Sequence, residues 1–277
     1  MTNGPAARRM VSTMFGDDDF DGLRVELRDD GVGLVMFNRP ERLNAVTAQS
    51  FSDLETALRR FGADGSCGAV VIGGEGAAFC AGMDMAGPRP KQDDDPVRLA
   101  YDGMRRTVAA VLAMRDIPQP VVVAVQGPAV GAGFALAAAA DVRVCAPDAK
   151  FMAPFLKLGV SIGDLGLSWM LPRLIGAGAA AEILYTGRTL GAEEARELRF
   201  VQHVVDEPLP IAIELAAKIA ARPRLGVQMS KELLNASIGA GGFREHLELE
   251  LRSQVIGLVS EDHRAAVLDF LAGRAKR

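Results

Sequence analysis

Two stretches of small residues are the parts of this chain whose residue types and spacing could do chemistry. The first, Gly131-Ala132-Gly133, follows a β-branched run at residues 121–125 and opens what is expected to be a long, alanine-rich helix. Small residues let another molecule approach the backbone, and the first turn of a helix leaves N–H groups unpaired. The helix dipole favours negative charge at the same place. The stretch predicts either a site for negative charge or only a tight strand-to-helix turn in a buried core.

The second stretch is a glycine-rich loop at residues 73–84, directly after another apolar strand pattern. It is not a P-loop, because no Gly-Lys-Ser or Gly-Lys-Thr follows, and it lacks the GxGxxG spacing of dinucleotide sites. Phosphate binding is therefore not predicted. Backbone N–H groups from two such loops could instead converge on one developing negative charge, which favours the first of the two interpretations.

Length and composition exclude several classes of function. The chain of 277 residues is 49% hydrophobic with a formal net charge of −4, which suits one large α/β domain or a domain with an appendage. No basic stripe with interleaved aromatic residues is present, so nucleic-acid binding is not predicted. The sequence has no run of eighteen apolar residues, and its start lacks a secretory-type apolar segment. We therefore expect a soluble, cytoplasmic protein with no membrane partner.

Cysteine and histidine usage predicts neither disulfides nor a metal site. The number of cysteines is odd, and no two of them form a CxxC pair, which indicates free thiols in a reducing compartment. The histidines lack metal-ligand spacing. The residues concerned are Cys67, Cys80, Cys145, His203, His246 and His263.

The elements that must position the two loops alternate between strand and helix patterns. An Asp-Gly turn predicts a hairpin over residues 24–37, and Thr47 is the expected N-cap of a helix that reaches Phe61. Buried strands are predicted at residues 69–72, 121–125 and 142–145, with a helix at 97–114 between the first two. Residues 151–160 read as extended and loop-like, and Pro172 should bend the helix that starts near residue 163.

From about residue 177 onward the apolar spacing is helical, apart from one short strand at residues 203–205. Strands with crossover helices come first and helices alone come last, so the simplest architecture is an α/β core with a helical C-terminal region. We predict a mobile N-terminal tail at residues 1–20, the core at 21–205 and the helical region at 206–277.

Five segments of the chain carry a resemblance to a known family. They are NRPERLNA at residues 38–45, AAFCAGMD at 77–84, VQGPAVGAGFALAAAADVRV at 125–144, LPRLIG at 171–176 and SEDHRAAVLDFLAGR at 260–274. In order and spacing they resemble the crotonase superfamily of enoyl-CoA hydratases and isomerases. The resemblance covers nearly everything after the tail.

This resemblance implies a spiral of ββα units with a helical C-terminal trimerisation region, assembled as a homotrimer or a dimer of trimers. It also implies an acyl-CoA thioester as substrate, with coenzyme A part of the substrate and no separate cofactor. By motif position, the backbone N–H groups of Met83 and Ala132 would stabilise the thioester oxyanion. Loss of one such donor typically raises the barrier by about 3 kcal/mol.

The family's coenzyme A contacts carry over to residues in the same loops. The matching positions are Arg42, Leu43, Ala45, Ala81 and Asp84, and Gly131 beside Ala132 is a further expected substrate-binding residue. Asp84 could alternatively be a helix N-cap. The basic residue of a neighbouring subunit's last helix, which often meets the 3′-phosphate in this family, falls on Gly273 with Arg274 adjacent.

The departures from the family pattern concern catalysis. Family hydratases add water with two glutamates, and the corresponding residues here are Ala135 and Phe155, both at the expected substrate site. Neither residue can transfer a proton, and Phe155 adds apolar bulk near the thioester. Ordinary hydratase chemistry is therefore not predicted.

Asp164 is the remaining candidate for acid–base chemistry. It lies where some family members, including dienoyl-CoA isomerases, carry a catalytic aspartate, although the loop before it is one residue longer than in typical hydratases. It could instead cap the helix that follows. We therefore predict an enzyme with isomerase-like or other one-carboxylate chemistry, and keep a non-catalytic acyl-CoA-binding protein as the alternative. A carboxylate with a raised pKa favours the enzyme, and one bonded to helix N–H groups favours the binder.

Overall fold

The computed structural model describes residues 20–86, 95–239 and 241–274. Residues 1–19 of the predicted N-terminal tail lie outside this part of the chain. No helix within the described ranges is long and apolar enough to cross a membrane.

The chain begins with the predicted hairpin. Strands β1 (Leu23–Leu27) and β2 (Val32–Phe37) pair antiparallel, with Gly31 at φ +79° in the turn. Next come helix α1 (Ala48–Ala63), strand β3 (Ala69–Gly74), helix α2 (Pro96–Asp116) and strand β4 (Val121–Val125). Thr47 caps α1 in a reciprocal box with Ser50. These elements confirm the predicted hairpin, cap, strands and helix.

The centre of the chain contains shorter elements. They are β5 (Pro128–Val130), α3 (Ala132–Ala139), β6 (Val142–Cys145), β7 (Lys150–Met152), a 3₁₀ turn (Phe155–Leu158), α4 (Leu167–Ile175), α5 (Ala177–Thr186), β8 (Leu190–Gly191), α6 (Ala192–Glu197) and β9 (His203–Val204). The expectation of a long helix after Gly133 is wrong, since α3 has eight residues. It ends early because Asp141 exchanges hydrogen bonds with Val121 through its N–H and its carboxylate, which carries the chain into β6.

Within the described residues the strands form two sheets. Six strands follow the order β1-β2-β3-β4-β6-β9, all parallel except the β1–β2 pair, and β5-β7-β8 form a second sheet of three. Residues of β2 alternate between the faces of the larger sheet: Val35 and Phe37 pack with α1, whereas Leu34 and Met36 pack with helix α7 (Pro208–Ala220). The sheet is therefore buried on both faces, as the apolar strand runs predict.

Three more helices follow in the described part of the chain: α8 (Arg224–Gly239), α9 (Phe243–Leu258) and α10 (Glu261–Arg274). Buried Lys231 fastens α8 to the core, because its Nζ donates 2.7 Å hydrogen bonds to the carbonyls of Met114 and Gln119. Helix α9 has no buried residue. The predicted division at residues 205 and 206 stays a prediction, although α7 beyond it packs on the sheet of the core.

The three cysteines are buried and free. Burial raises the pKa of Cys67 to about 11 and the pKa values of Cys80 and Cys145 to about 12. All three are therefore thiols rather than reactive thiolates at neutral pH. A reducing cytoplasmic compartment would suit them, and that location stays a prediction.

Candidate active site

The two small-residue loops lie side by side. Cys80 and Ala129 form a parallel bridge, and the N–H of Val130 donates to the carbonyl of Cys80 at 2.9 Å. The N–H of Gly131 donates to the carbonyl of Met152 at 2.8 Å, which holds the start of α3 against β7. The contact that the sequence predicts between the loops is therefore made by backbone atoms, which is why both loops need small residues.

The N–H of Met83 is left free by the way its loop pairs. Val46 donates to the carbonyl of Gly82 and accepts from the N–H of Asp84, each at 2.9 Å. In a parallel bridge these flanking groups make the bonds, so the residue between them directs its own N–H away from the partner strand. Among the described residues the N–H of Met83 donates to no acceptor.

Ala132 supplies a second free donor. It is the first residue of α3, and its N–H has no acceptor within the described parts of the chain. Gly131 turns the backbone into the helix at φ +52°, a conformation that favours glycine. A Cβ added to Gly82, which has φ +92°, would lie 3.9 Å from the nitrogen of Ala132. Two unpaired N–H donors thus belong to backbone segments that touch, and the dipole of α3 adds positive potential at this end.

Apolar groups surround these donors. Ala135 is completely buried on α3. Phe155 is buried too, and its ring carbon Cε1 would lie 3.6 Å from a Cβ on Gly131. The phenylalanine ring therefore rests on the loop that carries Ala132, where the sequence predicts apolar bulk.

Asp164 is a half-buried carboxylate without a partner. Within the described residues its side chain makes neither a hydrogen bond nor an ion pair, and burial raises the pKa of the carboxyl above its ordinary value. The N–H of Leu167 bonds to the main-chain oxygen of Asp164 at 2.9 Å, and the N-cap of α4 is Gly166. The alternative that Asp164 caps this helix is therefore wrong.

Leu165, directly after Asp164, has an unusual backbone conformation that the sequence did not indicate. Leu165 is buried and has φ +48°, a left-handed conformation that is costly for a leucine by about 1–2 kcal/mol. Strain of this kind persists only where the surroundings enforce it, and it often marks functional sites. No sequence signal reveals it, because leucine has no preference for this conformation.

The residues predicted to contact coenzyme A are linked through Arg39. Its guanidinium donates to the carbonyl of Ala45 at 2.9 Å and to a carboxylate oxygen of Asp84 at 3.1 Å. Asp84 also accepts from the N–H of Ala86, and these contacts lower the pKa of its carboxyl. The N–H of Ala81 donates to the carbonyl of Leu43 at 3.0 Å, and the side chain of neighbouring Arg42 is exposed. The structure thus gathers these residues in one region, and Asp84 serves an ion pair and a turn rather than a helix N-cap.

Asn44 ties the loop of residues 38–45 to the glycine-rich loop at residues 73–84, and the sequence did not point to it. It is buried at φ +56°, and its Nδ2 donates to the carbonyls of Glu75 and Ala78 at 2.8 and 2.7 Å. Its Oδ1 accepts from the N–H of Arg39 at 2.9 Å. An asparagine in the proline-containing loop of residues 38–45 is a usable signal, since asparagine tolerates the left-handed region.

Other predicted features are not part of this arrangement. No group of three or more His, Cys, Asp or Glu residues that could hold a metal occurs in the described residues. Gly273 and Arg274, predicted to meet the 3′-phosphate, belong to α10, and the side chain of Arg274 lies outside what the structure describes.

Comparison with known proteins agrees with this fold and geometry. The family model for enoyl-CoA hydratase/isomerase matches residues 28–274. A probable enoyl-CoA hydratase of Mycobacterium leprae is 37% identical over 230 residues, which cover 81% of this chain and 78% of that protein. A 1,2-epoxyphenylacetyl-CoA isomerase of Escherichia coli is 34% identical over 256 residues, covering 89% of this chain and 94% of that protein.

Solved structures agree as well. A probable enoyl-CoA hydratase/isomerase from Mycobacterium abscessus superposes with a TM-score of 0.85 at 31% identity, covering 93% of this chain and 97% of its own. The predicted crotonase-like α/β fold with a helical C-terminal region is thereby confirmed. The chain belongs to the enoyl-CoA hydratase/isomerase family of the crotonase superfamily.

Proposed function

We propose that this protein is an acyl-CoA-processing enzyme that stabilises a thioester enolate with the N–H groups of Met83 and Ala132. The observation that carries this proposal is that both N–H groups lack an acceptor in the described chain while their loops touch. Donors held in place before reaction stabilise charge as it develops, without a cost of reorganisation. The coenzyme A part of the substrate would lie along the loop of Arg42, Leu43 and Ala45.

The proposed reaction moves one proton. Asp164 takes a proton from a carbon activated by the thioester, and the C–H electrons move into the carbonyl to form the enolate oxygen that the two N–H groups hold. The carboxylic acid then returns the proton to another carbon of the acyl chain, so a double bond shifts and no atom is gained or lost. A raised pKa suits this role, because the same group must accept and release a proton.

Isomerase-like chemistry is favoured over hydration for two reasons. Ala135 and Phe155 offer no carboxylate to activate water, and the Phe155 ring lies on the oxyanion loop. In addition, one relative that covers most of the chain is named as an isomerase acting on an acyl-CoA. A non-catalytic acyl-CoA-binding protein is the alternative if Asp164 caps the helix that follows it. The N-cap of that helix is Gly166 instead, which argues against this alternative.

Binding is the first test of the proposed function. Isothermal calorimetry with acyl-CoA thioesters of several chain lengths is expected to give Kd values below about 1 mM, and each bound ligand should raise the Tm. Coenzyme A without an acyl group is the control that separates groove contacts from thioester contacts. If no acyl-CoA of any length raises the Tm, the proposed function is wrong.

The paired donors themselves can be perturbed by Gly82→Ala. The added methyl group would lie 2.9 Å from the carbonyl oxygen of Val130 at φ +92°, so the two loops must move apart. We expect turnover to fall by about 10²-fold or more, the usual effect of losing an oxyanion donor. Gly176→Ala is the matched control, because Gly176 has φ +85° with nothing within 4 Å of the new Cβ. Equal turnover in the two variants would contradict the placement of the donors.

We further propose a homotrimer or a dimer of trimers. Several large apolar residues on α9 and α10 are each at least 39% exposed in the single chain. One subunit alone would leave this apolar surface in water, and contact with a second copy would bury it. Light scattering at micromolar concentration is expected to give the mass of three or six chains, and a stable monomer would contradict the proposal. The residues concerned are Leu247, Leu249, Leu251, Val255, Leu258, Val267, Leu268 and Phe270.

A further inference from the structure

The C-terminal end of α3 is held by a buried cation. Nη1 of Arg143 donates to the carbonyls of Ala140 and Ala137 at 2.6 and 3.4 Å. Arg115 donates to the carbonyl of Ala139, between them, at 3.2 Å. Positive charge at this end complements the helix dipole. The same eight-residue helix carries the free N–H of Ala132 at its other end.

Arg143 is built into this position. Its residue is 4% exposed, its Nε donates to the carbonyl of Phe200 at 2.5 Å, and its guanidinium lies 5.4 Å from the centre of the Phe200 ring. Burial lowers the pKa of the guanidinium to about 10, so it stays charged at neutral pH. Its side chain forms no ion pair with any described carboxylate. The nearby Asp141 carboxylate opposes part of this fall in pKa. A buried cation with no paired carboxylate is costly, and here backbone carbonyls at the end of α3 take that place.

The Phe200 ring beside Arg143 also packs near the N-terminal end of α3. Phe200 packs edge-on against Phe134, with ring centres 5.3 Å apart, and Phe134 is two residues after Ala132. Phe200 also packs on Phe151 at 5.0 Å, next to Met152, whose carbonyl holds the N–H of Gly131. Alanine and glycine occupy most of α3, so the helix has few other side chains that could fix its place.

From these contacts we propose that Arg143 is a positioning residue for the oxyanion site. It fixes the axial position of α3 and supports its dipole, so that the N–H of Ala132 stays directed at the thioester oxygen. Arg143 makes no contact with substrate and is not a catalytic residue. The inference rests on the proposed enolate chemistry and assigns to this buried arginine a part in it.

The test uses enolate formation rather than turnover. Acetoacetyl-CoA has an acidic carbon between two carbonyls, and its enolate absorbs in the near ultraviolet, so the bound enolate fraction can be measured directly. Butyryl-CoA, which forms no stable enolate, reports ordinary binding. In Arg143→Met we expect the enolate-to-neutral ratio to fall about tenfold, the effect of a charge at a partly buried helix end. The Kd for butyryl-CoA should change less than about threefold.

Lys231→Met is the matched control for loss of a buried cation. Lys231 is also 4% exposed and also donates to two carbonyls, those of Met114 and Gln119. Its Nζ pairs with the Asp141 carboxylate just beyond α3 at 3.3 Å, but it donates to no carbonyl of α3 itself. The Lys231→Met variant should have a lower Tm and an unchanged ratio of enolate to neutral acetoacetyl-CoA. Arg143→Lys keeps the charge and should recover part of the ratio. If Arg143→Met fails to fold, Arg143→Lys compared with the native protein carries the test, with a fall of several-fold expected.

Two results would overturn the positioning role. One is an enolate ratio in the Arg143 variants no lower than in Lys231→Met. The other is a loss of butyryl-CoA affinity in the same proportion as the loss of enolate, since that is what general damage to the fold would produce. A native protein that binds acetoacetyl-CoA without forming enolate would contradict the proposed function itself, and the role of Arg143 with it.

Discussion

Asp164→Asn is expected to lower turnover by about 10²–10⁴-fold, the usual contribution of a general base. Asparagine keeps the size of the side chain and removes the group that accepts the proton. Acyl-CoA affinity should be unchanged, because the N–H groups of Met83 and Ala132 and the loop of Arg42 are untouched. Steady-state kinetics on an isomerisable enoyl-CoA, with calorimetry for binding, would measure both quantities.

The pH dependence of this variant has a definite sign. Burial raises the folded-state pKa of Asp164 above its unfolded value, so the native protein loses stability as the pH rises through that range. Asparagine has no charge to bury, and at neutral pH the variant should be at least as stable as the native protein. The acid limb of native kcat/KM should lie above the ordinary aspartate range and be absent from any residual activity of the variant.

Asp148→Asn is the control for this experiment, because Asp148 is exposed and lies outside the proposed site. It should leave turnover and the pH profile unchanged. Native-like turnover in Asp164→Asn would remove Asp164 from the mechanism. A lower Tm at neutral pH in that variant would contradict the buried, unpaired state of the carboxylate.

Hydration of crotonyl-CoA is expected to be slower than in a two-glutamate family member by at least about 10²–10⁴-fold. Each carboxylate of such a pair contributes as a general acid or base, and at the two predicted positions this chain has Ala135 and Phe155. The oxyanion donors alone can polarise the thioester but cannot take a proton from water. Loss of the enoyl absorbance, followed alongside double-bond migration in the same preparation, would measure the two reactions together.

Phe155→Ala tests whether hydration is slow because a carboxylate is missing or because the Phe155 ring occupies the space. The variant opens space beside Gly131 without adding a base, so hydration should stay slow. Rapid hydration in the native protein, undiminished in Asp164→Asn, would refute the one-carboxylate mechanism. Rapid hydration only after Phe155→Ala would show that the ring, rather than the absent glutamate, excludes water.

Much of the fold could be predicted from local pattern. The Asp-Gly turn of the first hairpin, the cap at Thr47 and the buried valine strands each depend on residues close together in sequence. The short strands β5 and β8 were not predicted, because with three residues or fewer they exist only through pairing with β7. The length of α3 was overestimated for the same reason, since Asp141 and Val121 end it through a long-range contact.

The order of five motifs placed the chain in its family, and residue identity puts alanine and phenylalanine at the positions predicted for the two hydratase glutamates. Sequence also named both proposed oxyanion donors, because backbone donors follow motif position and depend little on side chains. It left Asp164 open between a cap and a base, and it gave no role to Asn44, Leu165 or Arg143. Only the tertiary structure decided that the N–H groups of Met83 and Ala132 and the carboxylate of Asp164 have no partner among the residues that it describes. Whether a polar group is unpaired depends on every group around it, and most of those groups come from distant parts of the chain.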